Sequence, residues 1–206
     1  MNGTRRPSAR TPKGAGLGLF CPTCHDHTPT GSECENCRRH RYTLDVDKLA
    51  PVTALNCHHR THPIRNDLHN YKRSNPRGRY LALGRLASLI GPALDTYHQL
   101  GALIVPVPST RRPRHVPVAD IISAAGHTPF LLLAATRAHP NRTAAPDLFT
   151  SSATIPNRPI VVVDDCYVTG STAQAAAHTL KAARCPHVVI LTIGRRYRNA
   201  QVAPTR

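Results

Sequence analysis

The stretch at 160–172, Ile-Val-Val-Val-Asp-Asp-Cys-Tyr-Val-Thr-Gly-Ser-Thr, limits the fold of this chain more than any other segment. Four successive branched apolar residues without polar alternation predict a strand covered on both faces, the habit of parallel sheets packed between helices. Two acids, a small-residue turn and a helical pattern over about 172–183 follow. The same order recurs elsewhere. An apolar strand is expected over 102–107, then a helix over 116–125 with Pro117 in its first turn and Val118, Ile121 and Ile122 facing inward. Further strands are expected over 130–135 and 187–193. Strands alternating with helices predict an α/β fold, a parallel sheet flanked by helices with right-handed crossovers. Upstream, Leu81, Leu86, Leu89 and Ile90 fall at helical spacing, and at Pro92 the helix either kinks or yields to a second one ending near Gly101.

Ahead of this region stand two close cysteine pairs, Cys21-Pro-Thr-Cys24 and Cys34-Glu-Asn-Cys37, separated by nine residues. Four soft thiolates so spaced can close a tetrahedron around one metal, and zinc fits that donor set best. Disulfides are the alternative, and they require an oxidising compartment. A ribbon this small has little core, so a structural zinc would supply most of its folding free energy, roughly 10 kcal/mol or more. Arg38, Arg39 and Arg41 after the last ligand either touch nucleic acid or form a solvated face. Cys57, His58, His59 and His62 offer the residue types of a second metal site but lack a matching pair. The expected division is a disordered basic tail at 1–18, a zinc ribbon at 19–43, a linker and basic loop at 44–78, the α/β domain at 79–196 and a C-terminal tail at 197–206.

Lys and Arg number 27 against 11 acidic residues, a formal charge of +16. That field favours polyanionic partners, nucleic acid or phosphorylated ligands. Residues 1–13 lack the apolar core of a secretory signal, and the apolar runs at 130–135 and 160–163 are far shorter than a membrane span. A soluble protein of the reduced cytoplasm, without a membrane partner, is the expectation. Oligomerisation stays open.

The chemistry centres on the turn after Asp165. Ligands of parallel sheets bind at the carboxyl ends of strands, and a helix N-terminus offers unpaired amides and a positive dipole to phosphate. Thr169, Ser171 and Thr172 add hydroxyls, Gly170 lets the backbone come close, and the adjacent Asp164 and Asp165 suit sugar hydroxyls. A ribose phosphate satisfies both halves. The segment is neither a Walker A loop nor a Gly-x-Gly-x-x-Gly fingerprint.

Val-Val-Val-Asp-Asp-x-x-x-Thr-Gly-x-Thr resembles the phosphoribosyl diphosphate signature of type I phosphoribosyltransferases. Together with the cysteine pairs, the Tyr71-Lys72 step, Ile104-Val-Pro-Val-Pro108 and Arg111-Arg112-Pro-Arg114, it resembles the ComF family, named from competence proteins of bacterial DNA uptake. The likeness spans about 20–196. It implies a type I phosphoribosyltransferase-like sheet with an N-terminal zinc ribbon, Asp164 and Asp165 on the ribose hydroxyls as catalytic acids, and Thr169 to Thr172 on the 5′-phosphate. Arg111, Arg112 and Arg114 would meet the diphosphate, Lys72 would be a further basic contact, magnesium would bridge diphosphate and ribose, and the loop at 138–159 would close over the site. Val168 stands where the signature has a first threonine, which removes one hydroxyl and leaves the amides. The family's Arg-Gly-Phe-Asn is replaced by Arg114-His-Val-Pro. Two functions are implied: phosphoribosyl transfer to an acceptor that no motif names, or a non-catalytic adaptor in DNA uptake that binds single-stranded DNA or DNA-processing proteins.

Overall fold

The computed structural model describes residues 19–28, 30–58, 63–73, 75–112, 116–136, 143–152, 154–185 and 187–196. The expected tails at 1–18 and 197–206, and the candidate residues Arg114, His59 and His62, lie outside the described residues.

In chain order the elements are β1 (Leu19–Phe20), β2 (His27–Thr28), α1 (Glu35–Thr43), β3 (Val52–His58), α2 (Pro63–Asn70), α3 (Pro76–Gln99), β4 (Leu103–Pro106), α4 (Pro117–Ala124), β5 (Leu133–Ala135), β6 (Phe149–Ser151), β7 (Ile160–Tyr167), α5 (Ser171–Ala182) and β8 (Val188–Arg196). Four strands form one sheet in the order β3-β8-β7-β4, and each neighbouring pair is parallel. The fold is therefore mixed α/β with a parallel sheet flanked by helices.

Successive strand residues face opposite ways, and the core divides accordingly. Leu103, Val105, Ile160, Val162 and Ile190 pack on one side with α5 and the four cysteines 21, 24, 34 and 37. Ile104, Val161, Val163, Leu191 and Ile193 pack on the other side with α2, α3 and α4. Each such Val, Leu or Ile contributes about 1.5–3 kcal/mol when fully buried. On α5 the apolar residues of this cluster are Ala173, Ala175, Ala176, Ala177 and Leu180, all but one of them alanine. On α3, Ala82, Leu86, Ile90 and Leu94 recur every fourth residue and carry the packing. Asn75 caps α3 by accepting from the Gly78 amide at 3.3 Å. That helix runs on through Pro92 as one element. Among the described residues, no helix is long and apolar enough to cross a membrane.

Three local expectations differ from what is found. The stretch expected as linker and loop contains β3 and α2, and β3 is an edge strand of the main sheet. Pairing only with β8, it tolerates Thr53 and Asn56 among its apolar residues. The strand expected at 130–135 shrinks to β5 and pairs antiparallel with β6, apart from the main sheet. Leu131 is 64% exposed and only Leu133 is buried, so this apolar run is half spent on the surface. Finally, β7 does not end at Val163; it continues through both acids to Tyr167, with Asp164 opposite Thr192 and Cys166 opposite Gly194 on β8.

Candidate functional site

The turn after β7 is built around Gly170, which caps α5 in the left-handed region at φ 81°. A Cβ there would stand 2.0 Å from the Tyr167 ring, so a second constraint excludes any side chain. The sequence had suggested glycine for close approach of a ligand; in the structure Tyr167 and the positive φ account for it. The Thr169 hydroxyl lies 3.4 Å from the Ser171 amide and 3.2 Å from the Ser171 hydroxyl, so it supports the first turn of α5. Thr169, Gly170 and Ser171 are buried, and Val168 is half-buried.

Beside this turn opens a cleft of about 660 Å³. Asp164, Asp165 and Thr172 line it, together with Lys72 and with Arg111 and Arg112 on the loop after β4. Residues from three separate parts of the sequence thus meet at one place. Val168, Thr169, Gly170 and Ser171 are not among the lining residues and form the turn behind it. Ser109 and Thr110, on the loop after Pro108 that the resemblance places against the diphosphate, also line the cleft, as do His69 and Arg73, to which no motif pointed.

The two acids differ in surroundings. Asp165 accepts a hydrogen bond from the buried Tyr71 hydroxyl at 2.7 Å and pairs with the Lys72 ammonium. Burial works against the Lys72 charge, but attraction to Asp165 prevails and raises its pKa. Burial, followed by the charge of Asp165, pushes the Tyr71 phenol well up. Asp164 accepts from the Asp165 amide at 2.9 Å. Its carboxyl is pushed above the ordinary carboxylate range, first by burial and then by the negative charge of Asp165. A carboxylate pair so placed attracts either a cation or hydroxyl donors.

On the opposite side of the sheet from α3, the thiol sulfurs of Cys21, Cys24, Cys34 and Cys37 all lie within 4.8 Å of one another and are buried. Cys24 Sγ and Cys34 Sγ are 3.6 Å apart. A tetrahedral zinc with bonds of about 2.3 Å needs sulfur pairs roughly 3.8 Å apart, so this set fits zinc, whereas a disulfide would need about 2.05 Å. Hydrogen bonds among the thiols raise Cys24 and Cys37 and lower Cys34, so the four sulfurs titrate as one set. Cys21 and Cys24 flank a tight turn in which His25 takes φ 56° and donates its amide to Cys21 O. The second pair sits at the start of α1, with Cys34 as its cap, so the module is a short hairpin plus a helix. Cys57 and His58 fall at the end of β3.

The module is joined directly to the turn at Gly170. From α1, buried His40 places Nε2 2.8 Å from the Thr169 carbonyl. From β8, buried Arg195 donates to Cys24 Sγ at 3.4 Å, pairs with Asp26 at 3.2 Å, and lies 4.9 Å from the Tyr167 ring centroid. Neither His40 nor Arg195 was legible as a site residue, because each acts on a segment remote in sequence.

Comparison of the chain with protein-family models and with curated proteins finds no match.

Proposed function

We propose that the cleft binds phosphoribosyl diphosphate and that the chain is a type I phosphoribosyltransferase-like protein of the kind its motifs resemble. The observation that supports this most is the meeting of Asp164, Asp165 and Thr172 with Lys72, Arg111 and Arg112 around one cleft. Hydroxyl donors on ribose suit the paired carboxylates, and the phosphates suit the three cations and the start of α5. Magnesium, a hard cation, would find oxygen ligands in Asp164 and Asp165 and would offset the charge of the diphosphate.

In the transfer, an acceptor nucleophile forms a bond to the anomeric carbon as the bond from that carbon to diphosphate oxygen breaks. Diphosphate leaves with the electron pair. Lys72, Arg111 and Arg112 offset the charge that develops on it, and Asp164 and Asp165 hold the ribose in place. Catalysis is then mainly positioning and charge stabilisation. The zinc module is structural in this scheme.

The adaptor alternative draws support from α1, where Arg39 and Tyr42 are exposed side by side with the cationic Arg38 and Arg41. Arg38 pairs with Glu35 and Arg41 with Glu33, which leaves less charge on that helix than its sequence suggests. Calorimetry separates the two functions. Heat on titrating phosphoribosyl diphosphate with magnesium, lost in Asp164→Asn/Asp165→Asn, supports transfer; heat with single-stranded DNA alone supports the adaptor.

A further inference from the structure

We propose that His40 is a positioning residue for the turn at Gly170, holding the Thr169 carbonyl so that the four-cysteine module sets the conformation of the turn behind the cleft. The proposal rests on the function proposed above only for the identity of the ligand.

A carbonyl oxygen can only accept, so Nε2 of His40 carries the proton and donates to Thr169. The bond is 2.8 Å long and joins residues 129 apart in sequence. Among the described residues, Nδ1 of the same ring is buried without a hydrogen-bond partner, so Nε2 makes the ring's one polar contact. In a planar trans peptide, C=O and N–H point in opposite directions. Fixing the Thr169 carbonyl toward His40 therefore directs the Gly170 amide away from the module. Glycine adopts positive and negative φ with nearly equal ease, so the peptide before Gly170 is free to rotate unless something holds it. Rotation would turn the Gly170 amide toward the module and disturb the start of α5, where Thr172 lines the cleft. His40 opposes that rotation from behind.

A second tie acts on the same turn. Arg195 connects Cys24 to the face of Tyr167, and the Tyr167 ring fills the place of a Cβ on Gly170. Gln174 on α5 completes the frame, exchanging hydrogen bonds with the Ala50 backbone at 2.9 and 3.1 Å and donating to the Tyr167 hydroxyl at 3.4 Å. His40 lies three residues beyond Cys37 on α1, so the position of its ring depends on the cysteine cluster that anchors the helix.

The test compares His40→Leu, which fills space without a donor, with His40→Gln, which keeps a donor of similar reach. Amide hydrogen exchange of 168–172 is followed in the full-length protein, with zinc content measured alongside. Exchange in His40→Leu should quicken roughly five- to tenfold, as for the loss of one buried hydrogen bond, while α3 and β4 stay unchanged and zinc stays at one per chain. His40→Gln should return exchange to near the parent rate, and affinity for phosphoribosyl diphosphate should follow the same order. Should His40→Leu fail to fold, His40→Asn, polar but too short to reach Thr169, takes its place. Unchanged exchange at 168–172 in the donor-less variant, or quickening that His40→Gln does not reverse, overturns the proposal. A parent protein that binds no phosphoribosyl diphosphate overturns the ligand instead, since exchange reports on the turn by itself.

Discussion

Asp164 and Asp165 are neighbours in sequence with unlike surroundings. Asp165 is tied to Tyr71 and Lys72, whereas Asp164 has its carboxyl raised by burial and by the charge next to it. A carboxyl raised in the folded state binds more protons there than in the unfolded chain between its ordinary and its raised value, so stability falls as pH climbs through that window. Thermal unfolding across mildly acidic pH should show this decline, and Asp164→Asn should flatten it. The proposed binding of diphosphate with magnesium would run the other way, since it would call on the carboxylate, and should strengthen over the same range. Tyr71→Phe should cost about 1.5–3 kcal/mol of stability by removing the hydrogen bond to the charged Asp165, measured by denaturant unfolding, with no change in zinc content. That the acids would face a cleft was legible, since they follow an apolar run at the carboxyl end of a parallel strand, where ligands of such sheets bind. The partners of Asp165 were less so: Lys72 entered through a resemblance, and only the folded chain shows Tyr71 buried against the acid.

At the scale of elements, the strand, turn and helix from β7 to α5 follow from local pattern, because branched residues buried on both faces and a glycine before a helix leave few alternatives. The continuation of β7 through Tyr167 was not legible, as polar residues in a strand look like a turn when the partner strand β8 is unknown. For the same reason β3 was hidden; an edge strand is defined by its neighbour as much as by its residues. Gly170→Ala should destabilise the fold by more than the roughly 1–2 kcal/mol of an alanine at positive φ, because its Cβ also meets the Tyr167 ring. Denaturant unfolding measures this, and a loss within that range would mean that the ring moves aside freely. The cysteine pairs were fully legible from spacing. Cys34→Ser should lower the zinc content, expected at one ion per chain, and the melting temperature with it, since Cys34 belongs to the sulfur cluster that anchors the start of α1; elemental analysis and calorimetric unfolding report the two effects.

For the whole molecule, a charge of +16 makes some affinity for single-stranded DNA expected on electrostatic grounds alone. Such binding should be independent of base sequence and should weaken steeply with salt through counterion release. Three phenylalanines, six tyrosines and no tryptophan leave few stacking platforms, so affinity unchanged by salt in a filter or fluorescence assay would count against this view. The central claim is that the cleft beside α5 takes phosphoribosyl diphosphate. Isothermal calorimetry with that ligand and magnesium, on the parent and on Asp164→Asn/Asp165→Asn with the fold checked by circular dichroism, tests it most directly. Saturable heat at one site per chain in the parent and none in the folded double variant is the predicted result; equal binding by both, or none by the parent, would contradict it.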